Sequence, residues 1–198
     1  MYDFDYQRPA DARAATAALQ GDARFLAGGI GDPMVRNMGT LGGSVANADP
    51  AACYPAALLA LGATVQTDRR TIAADDFFTG LYETALQPGE LVTGVSFPVP
   101  QLAAYEKFRQ PASRFALVGV FVAKTAGDVR VAVTGAKSHV FRAQAIEAAL
   151  AQAFTPEAAK AVRLPATDIN ADMHGSAEYR AAMISVMAAR AVEAALGR

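Results

Sequence analysis

An α+β chain of two units is what the sequence predicts, and three patterns predict it. Tyr105 to Arg109, Ala116 to Lys124 and Val129 to Thr134 read as successive strands, and helix-like runs follow them. Ahead of these strands come short helical and extended segments in mixed order. Between the two regions stand Pro98 and Pro100, which remove sheet donors and fix the chain direction. A boundary is therefore placed there, giving units 1–100 and 101–198.

Each element has its own local reason. From Pro9 to Leu19, Ala12, Ala15, Ala18 and Leu19 recur at helical spacing, with Asp11 near the start and Gly21 beyond the end. Phe25, Leu26 and Ala27 read as a strand entering Gly28 and Gly29, and a second glycine-bearing loop, Gly39 to Gly43, leads into Ser44 to Ala48. The Ala/Leu run from Pro55 to Gly62 suggests a buried helix ended by glycine. Ala63 to Thr67 reads as a strand, Asp68-Arg69 as a turn, and Arg70 to Ile72 as its continuation. Asp75 to Leu81 looks like a short helix, with Asp75 and Asp76 meeting its unpaired amide donors. Leu91, Thr93, Val95 and Phe97 alternate as in a strand with one buried face.

In the second unit a tight turn through Gly127 and Asp128 joins the last two of three antiparallel strands. Phe141 to Phe154 is expected as a helix with Ile146 and Leu150 on one stripe. Thr155-Pro156-Glu157 opens another, because proline at the first helical position loses no needed donor. The last helix runs from Ser176, a candidate N-cap, to Leu196, with Gly197 closing it. Its Tyr179, Met183, Val186 and Met187 are expected to face the three-stranded sheet.

Composition narrows the function classes. With 53% hydrophobic residues in 198, the chain has material for one sizeable core or two adjoining small ones. Its 18 basic and 19 acidic residues are interspersed and nearly cancel, so no basic stripe favours nucleic acid. Cys53 is the sole cysteine and has no partner for an internal disulfide. The opening residues lack the pattern of a secretory leader, which points to the cytoplasm. The most apolar stretch, Ala51 to Val65, contains Pro55 and falls short of the ~18 apolar residues of a membrane span. His139 and His174 lie far apart without spaced acidic or cysteine companions, so neither a metal site nor a His-dependent hydrolase is expected.

The informative block runs from Arg36 to Pro50 and contains Gly39-Thr40-Leu41-Gly42-Gly43-Ser44. Consecutive glycines permit positive φ and remove side chains that would hold a diphosphate away, so peptide N–H groups can converge on an anion. Thr40 and Ser44 add hydroxyl donors, while Asn47 and Asp49 can hydrogen-bond a sugar or ribityl chain. That suits a dinucleotide, although a glycine pair also makes a plain turn between strands. The block is neither a Gly-x-Gly-x-x-Gly fingerprint nor a Gly-Lys-Ser/Thr triphosphate loop.

Three segments together resemble the FAD-binding subunits of carbon monoxide dehydrogenase, xanthine dehydrogenase and related molybdenum hydroxylases. Gly39 to Pro50 is similar to the family's Thr-Ile-Gly-Gly-Ser/Asn loop with its following Ala-Asp-Pro. Phe77-Phe78-Thr79-Gly80, Glu90-Leu91-Val92, Tyr105-Glu106-Lys107-Phe108-Arg109 and Arg114-Phe115-Ala116 resemble the middle of those proteins. Phe141-Arg142, Tyr179-Arg180 and Arg190-Ala191 resemble their C-terminal domain.

The resemblance implies a two-subdomain α/β unit binding FAD, followed by an α+β domain without cofactor. It further implies electron passage from a molybdopterin subunit, through the clusters of an iron–sulfur subunit, to FAD and on to an acceptor. Carried over, Gly28, Gly29, Thr40, Leu41, Gly42, Gly43 and Ser44 would hold the pyrophosphate. Asn47 and Asp49 would lie near the ribityl chain or ring, and Lys107 near the flavin's polar edge, with Arg109 a weaker candidate for that role.

Two departures accompany it. Leu26-Ala27-Gly28-Gly29 matches the start of the family's first glycine loop, but Ile30-Gly31-Asp32-Pro33 already resembles residues just before the second, as though several tens of residues were deleted. Cys53 stands where relatives place an acidic residue, and a thiol is a poor acceptor. Each charge-assisted hydrogen bond is worth about 1.5–3 kcal/mol, so losing two would weaken FAD by about two to four powers of ten. A shortened, flavin-free structural or assembly relative is therefore the alternative expectation, and an enzyme using the glycine loop for another nucleotide is the third.

Overall fold

The computed structural model describes residues 39–197. The expected helix from Pro9, the strand at Phe25, the Gly28-Gly29 loop and the junction after it lie outside the described residues.

The first unit begins with α1 (Leu41–Asn47) and α2 (Tyr54–Leu61). Next come β1 (Thr64–Thr67), β2 (Thr71–Ala73), α3 (Ala74–Phe77), β3 (Phe78–Gly80), β4 (Glu83–Thr84) and β5 (Val92–Ser96). The α2 sequence forms a helix because Pro55 sits in its first turn and Gly62, at φ 62°, closes it with its N–H on Leu58 and Leu59 carbonyls. Every residue from Pro55 to Leu61 is buried, as befits a helix apolar all round, and each leucine contributes about 1.5–3 kcal/mol by burial. It shares a core with Val45, Val65 and Ile72 of its own unit and with Phe121, Ala123 and Ala132 of the next.

β2, β1 and β5 form an antiparallel sheet in that order. Its register shifts between Gln66 and Thr67, so Thr67 faces Val92. The slip is why Val92 packs on the core while Leu91, expected inside, is 40% exposed. The helix expected from Asp75 to Leu81 ends at Phe77, where Phe78 turns extended and starts the β3–β4 hairpin. Phe77 and Phe78 then pack edge to face at 5.1 Å.

The second unit comprises β6 (Leu102–Arg109), β7 (Ala116–Lys124), β8 (Val129–Thr134), β9 (Phe141–Arg142), α4 (Gln144–Gln152), α5 (Pro156–Ala161) and α6 (Ala177–Leu196). The sheet is antiparallel in the order β6-β7-β8-β9 and thus has four strands where three were expected. Phe141 and Arg142 pair with Val133 and Ala132, so α4 starts only at Gln144 rather than at Phe141. The Ala143 N–H remains bonded to the Val131 carbonyl, which holds the chain extended until that point.

Both faces of this sheet are covered, which explains the unbroken buried run Ala116 to Ala123 in β7. The first unit packs on one face; Ile146, Leu150, Ile184, Met187 and Val192 pack on Val118, Val120, Val131 and Val133 on the other. Thr155 and Ser176 cap α5 and α6 as expected, accepting from the amides of Ala158 and Tyr179. The buried stripe of α6 is rotated from expectation: Ile184, Met187, Ala188, Ala191 and Val192 are inside, Met183 and Val186 lie at its margin, and Tyr179 is 46% exposed. The rotation follows from Arg180, whose buried guanidinium must reach the sheet's end. Among the described residues no helix is long and apolar enough to cross a membrane.

Candidate functional site

Thr40 stands in extended backbone, and its hydroxyl accepts the Gly43 N–H at 3.0 Å while its carbonyl accepts the Ser44 N–H at 3.0 Å. These bonds start α1 directly at Leu41. Thr40, Leu41, Gly42, Gly43 and Ser44 are therefore brought together in one cap and first turn, with Thr40 and Gly43 exposed. The expected positive-φ bend is not what forms: Gly42 and Gly43 are helical, and positive φ falls instead on Ala48, at 48°, which ends the helix. The reason is the threonine cap, which turns the glycine pair into the first turn of a helix rather than a free loop. The amides of Leu41 and Gly42 are left at the helix start, where the first N–H groups have no carbonyl behind them.

A Cβ on Gly43 would stand 2.9 Å from the capping hydroxyl of Thr40, which is tighter than real contacts allow. A Cβ on Gly42 would meet only Val92, at 3.8–4.0 Å, an ordinary contact. Packing among the described residues therefore does not require glycine at position 42, although glycine costs about 0.5–1 kcal/mol in a helix relative to alanine. Such a position suits a surface that something else must approach closely.

Beyond α1, Asn47 is exposed and Asp49 partly buried. The Asp49 carboxylate accepts the Ala51 N–H at 2.8 Å, holding a local turn. The next carbonyl, of Pro50, accepts the Gly135 N–H at 2.7 Å and ties this segment to the end of β8. Gly135 has φ 80°, and a Cβ there would collide with the carbonyls of Ala116 and Leu117. Lys107, on β6, places its Nζ 3.4 Å from the Sγ of buried Cys53, which matches the expectation of a small buried residue at a helix start. Arg109 is exposed at the end of β6, and Gly28 and Gly29 lie outside the described residues.

Sequence reasoning missed a buried carboxylate that ties the β1–β2 turn to the segment before β5. Glu90 has no exposed side-chain surface. Its Oε1 accepts from Thr67 Oγ1 at 2.8 Å and Arg70 Nε at 2.9 Å, and its Oε2 from the Gln87 N–H at 2.8 Å. The Arg70 guanidinium, with the Gln87 N–H, lowers its carboxyl from the usual range to about 2. A carboxylate one residue after Pro88-Gly89 was the available signal, since such a turn presents amides to it. Asp75, expected only to serve a helix start, also accepts from Arg130 of β8 at 2.5 Å and bridges the two units. Among the described residues no group of three or more His, Cys, Asp or Glu is placed to hold a metal ion.

Residues 29–100 match the family described as FAD binding domain in molybdopterin dehydrogenase, and residues 103–195 the CO dehydrogenase flavoprotein C-terminal domain. The chain is 36% identical over 177 residues to the nicotine 6-hydroxylase medium subunit of Paenarthrobacter nicotinovorans, covering 82% of this chain and 62% of that one. It is 35% identical to the carbon monoxide dehydrogenase medium chain of Afipia carboxidovorans, covering 85% of this chain and 64% of the relative. The carbon monoxide dehydrogenase structure from Hydrogenophaga pseudoflava superposes with a TM-score of 0.68 at 35% identity, over 85% of this chain and 64% of that one. The chain thus spans under two thirds of the length of these relatives. With both domain families matched in order and the fold shared, the chain belongs to the family of FAD-binding medium subunits of the molybdenum hydroxylases.

Proposed function

We propose that this chain is the FAD-carrying subunit of a molybdenum-containing hydroxylase or dehydrogenase, and that it works in the cytoplasm beside an iron–sulfur subunit and a molybdopterin subunit. Residues 1–100 form the FAD-binding unit in this reading and residues 101–198 the unit that supports it. The observation that carries it is the first turn of α1, where Thr40, Leu41, Gly42, Gly43 and Ser44 are brought together with Thr40 and Gly43 exposed.

In this reading the amides of Leu41 and Gly42, with the hydroxyls of Thr40 and Ser44, hold the pyrophosphate, and Gly28 and Gly29 grip it from the other side. The glycines serve by letting backbone approach, and the helix start favours the anion. Asn47 and Asp49 orient the ribityl chain. Lys107, whose Nζ lies 3.4 Å from Cys53 Sγ, stands near the flavin's polar edge in this reading and favours an anionic reduced ring. When bound, FAD supplies the redox chemistry that connects iron–sulfur clusters to an acceptor. The chain's own part is to bind, orient and tune.

FAD titrated into the purified chain tests this. Saturable quenching of flavin fluorescence, lost in Gly43→Val, is the expected result; a chain that takes up no FAD removes the reading. Co-purification with partner subunits but without flavin would favour a flavin-free assembly role instead.

A further inference from the structure

We propose that Glu90 is a positioning residue for the cofactor turn, fixing the Leu91–Val92 backbone as the floor facing Gly42. The inference rests on reading α1 as the FAD-binding element and adds a residue that touches no ligand.

The floor itself is defined by what lies under Gly42. Within 4 Å of a Cβ built on that residue stand the carbonyl oxygen, Cβ and Cγ1 of Val92. Gly42 itself stands back from Val92, and it is packing on a shared core that couples α1 to this strand. Leu41 and Val92 also pack against the same core, on which Val45 of α1 is fully buried.

Val92 in turn is held through its two predecessors. Leu91 donates its N–H to Asp68 Oδ1 at 2.9 Å, and its carbonyl accepts the Asp68 N–H at 3.0 Å. Glu90 binds the same β1–β2 turn from inside, through Thr67 Oγ1 and the Arg70 guanidinium, which reaches both carboxylate oxygens at 2.9 and 3.1 Å. Its Oε2 also accepts the Gln87 N–H at 2.8 Å, and Arg70 adds a bond to the Ala85 carbonyl at 2.5 Å. Segment 85–91 and the β1–β2 turn are thus clamped together around one buried carboxylate.

Because donors surround both oxygens, an amide would turn its own N–H groups against a guanidinium or a peptide N–H. Glu90→Gln therefore opens the clamp without changing volume, and Thr67→Val removes one of its donors together with the acceptor of the Arg69 and Arg70 amides in the β1–β2 turn. Glu147 is a suitable control: it too is a buried carboxylate held by an arginine, Arg142, and by a backbone amide, that of Val131, but it lies in the second unit.

The experiment compares wild type, Glu90→Gln, Thr67→Val and Glu147→Gln at a temperature where far-ultraviolet circular dichroism shows each folded. It measures the FAD dissociation constant and the visible circular dichroism of bound flavin. Glu90→Gln is expected to raise the dissociation constant by about tenfold or more and to alter the flavin dichroism. Thr67→Val is expected to do the same to a smaller degree, and Glu147→Gln to lower Tm while leaving both flavin readouts unchanged. Wild-type flavin readouts in Glu90→Gln and Thr67→Val, or equal weakening by Glu147→Gln, overturn the inference alone. If Glu90→Gln does not fold, Thr67→Val decides by the same criterion. Absence of FAD uptake by wild type overturns the cofactor reading and this inference with it.

Discussion

β7 and α1 sit at opposite extremes of this molecule. β7 has eight successive buried residues, covered from both faces, whereas α1 buries Val45, carries two glycines and leaves its first turn only partly covered. The contrast separates two tasks. Apolar burial between the C-terminal sheet and its own helices supplies stability in a core separate from that of α1, so α1 is free to keep glycine where alanine would make a better helix. Around that turn the first unit relies on polar bonds: a threonine cap, a backbone bond from the Gly135 N–H to the Pro50 carbonyl and, in the inference drawn above, the clamp around Glu90.

The largest test attacks the scaffold side of this contrast. Arg180, 3% exposed, donates to the carbonyls of Leu117 and Gly135 at 2.7 and 2.9 Å and to Asp172 at 2.6 Å. Arg180→Met strands those acceptors and is expected to cost about 3–5 kcal/mol in urea unfolding; a loss below about 1 kcal/mol would mean the network is ornamental. On the α1 side, Gly43→Val drives a branched side chain into the Thr40 cap and is expected to weaken FAD at least about a hundredfold, the worth of one or two charge-assisted hydrogen bonds. Global unfolding should move far less, and fluorescence titration beside thermal melts checks the split.

Gly42→Ala sharpens the comparison further, since its Cβ meets Val92 at ordinary distance. The variant is expected to gain about 0.5–1 kcal/mol of stability while binding FAD about tenfold more weakly. A stabilised variant with undiminished flavin affinity would show that nothing needs to approach this glycine. The most local effect is on acid stability. The Glu90 carboxyl is lowered from 4.5 to about 2 by Arg70, so its contribution is complete above pH about 4.5 and fades as pH falls toward 2. Wild type should lose stability across that window and Glu90→Gln should lose less, as read by Tm against pH.

Much of this was readable from the chain. The apolar runs of β7 and β8, the capping residues Thr155 and Ser176, the Pro55-to-Gly62 helix and the glycine block are local signals, each fixed by side-chain period or turn chemistry. Readings that depended on a partner went astray. β9 exists because Phe141 and Arg142 find β8 beside them, although their own sequence continues smoothly into a helix. The face of α6 is set by a buried arginine that seeks carbonyls far along the chain.

The sequence by itself determined the order of elements, the family to which the chain belongs and the residues gathered at the turn, because periodicity, caps and motifs act over a few neighbours. Only the tertiary structure decided that the glycine pair is helical, that Val92 rather than Leu91 faces inward, and that Glu90 is buried among donors from the β1–β2 turn and Gln87. The physical reason is that a register shift and most of a buried carboxylate's donors come from segments twenty or more residues away, brought close only when the sheet is assembled.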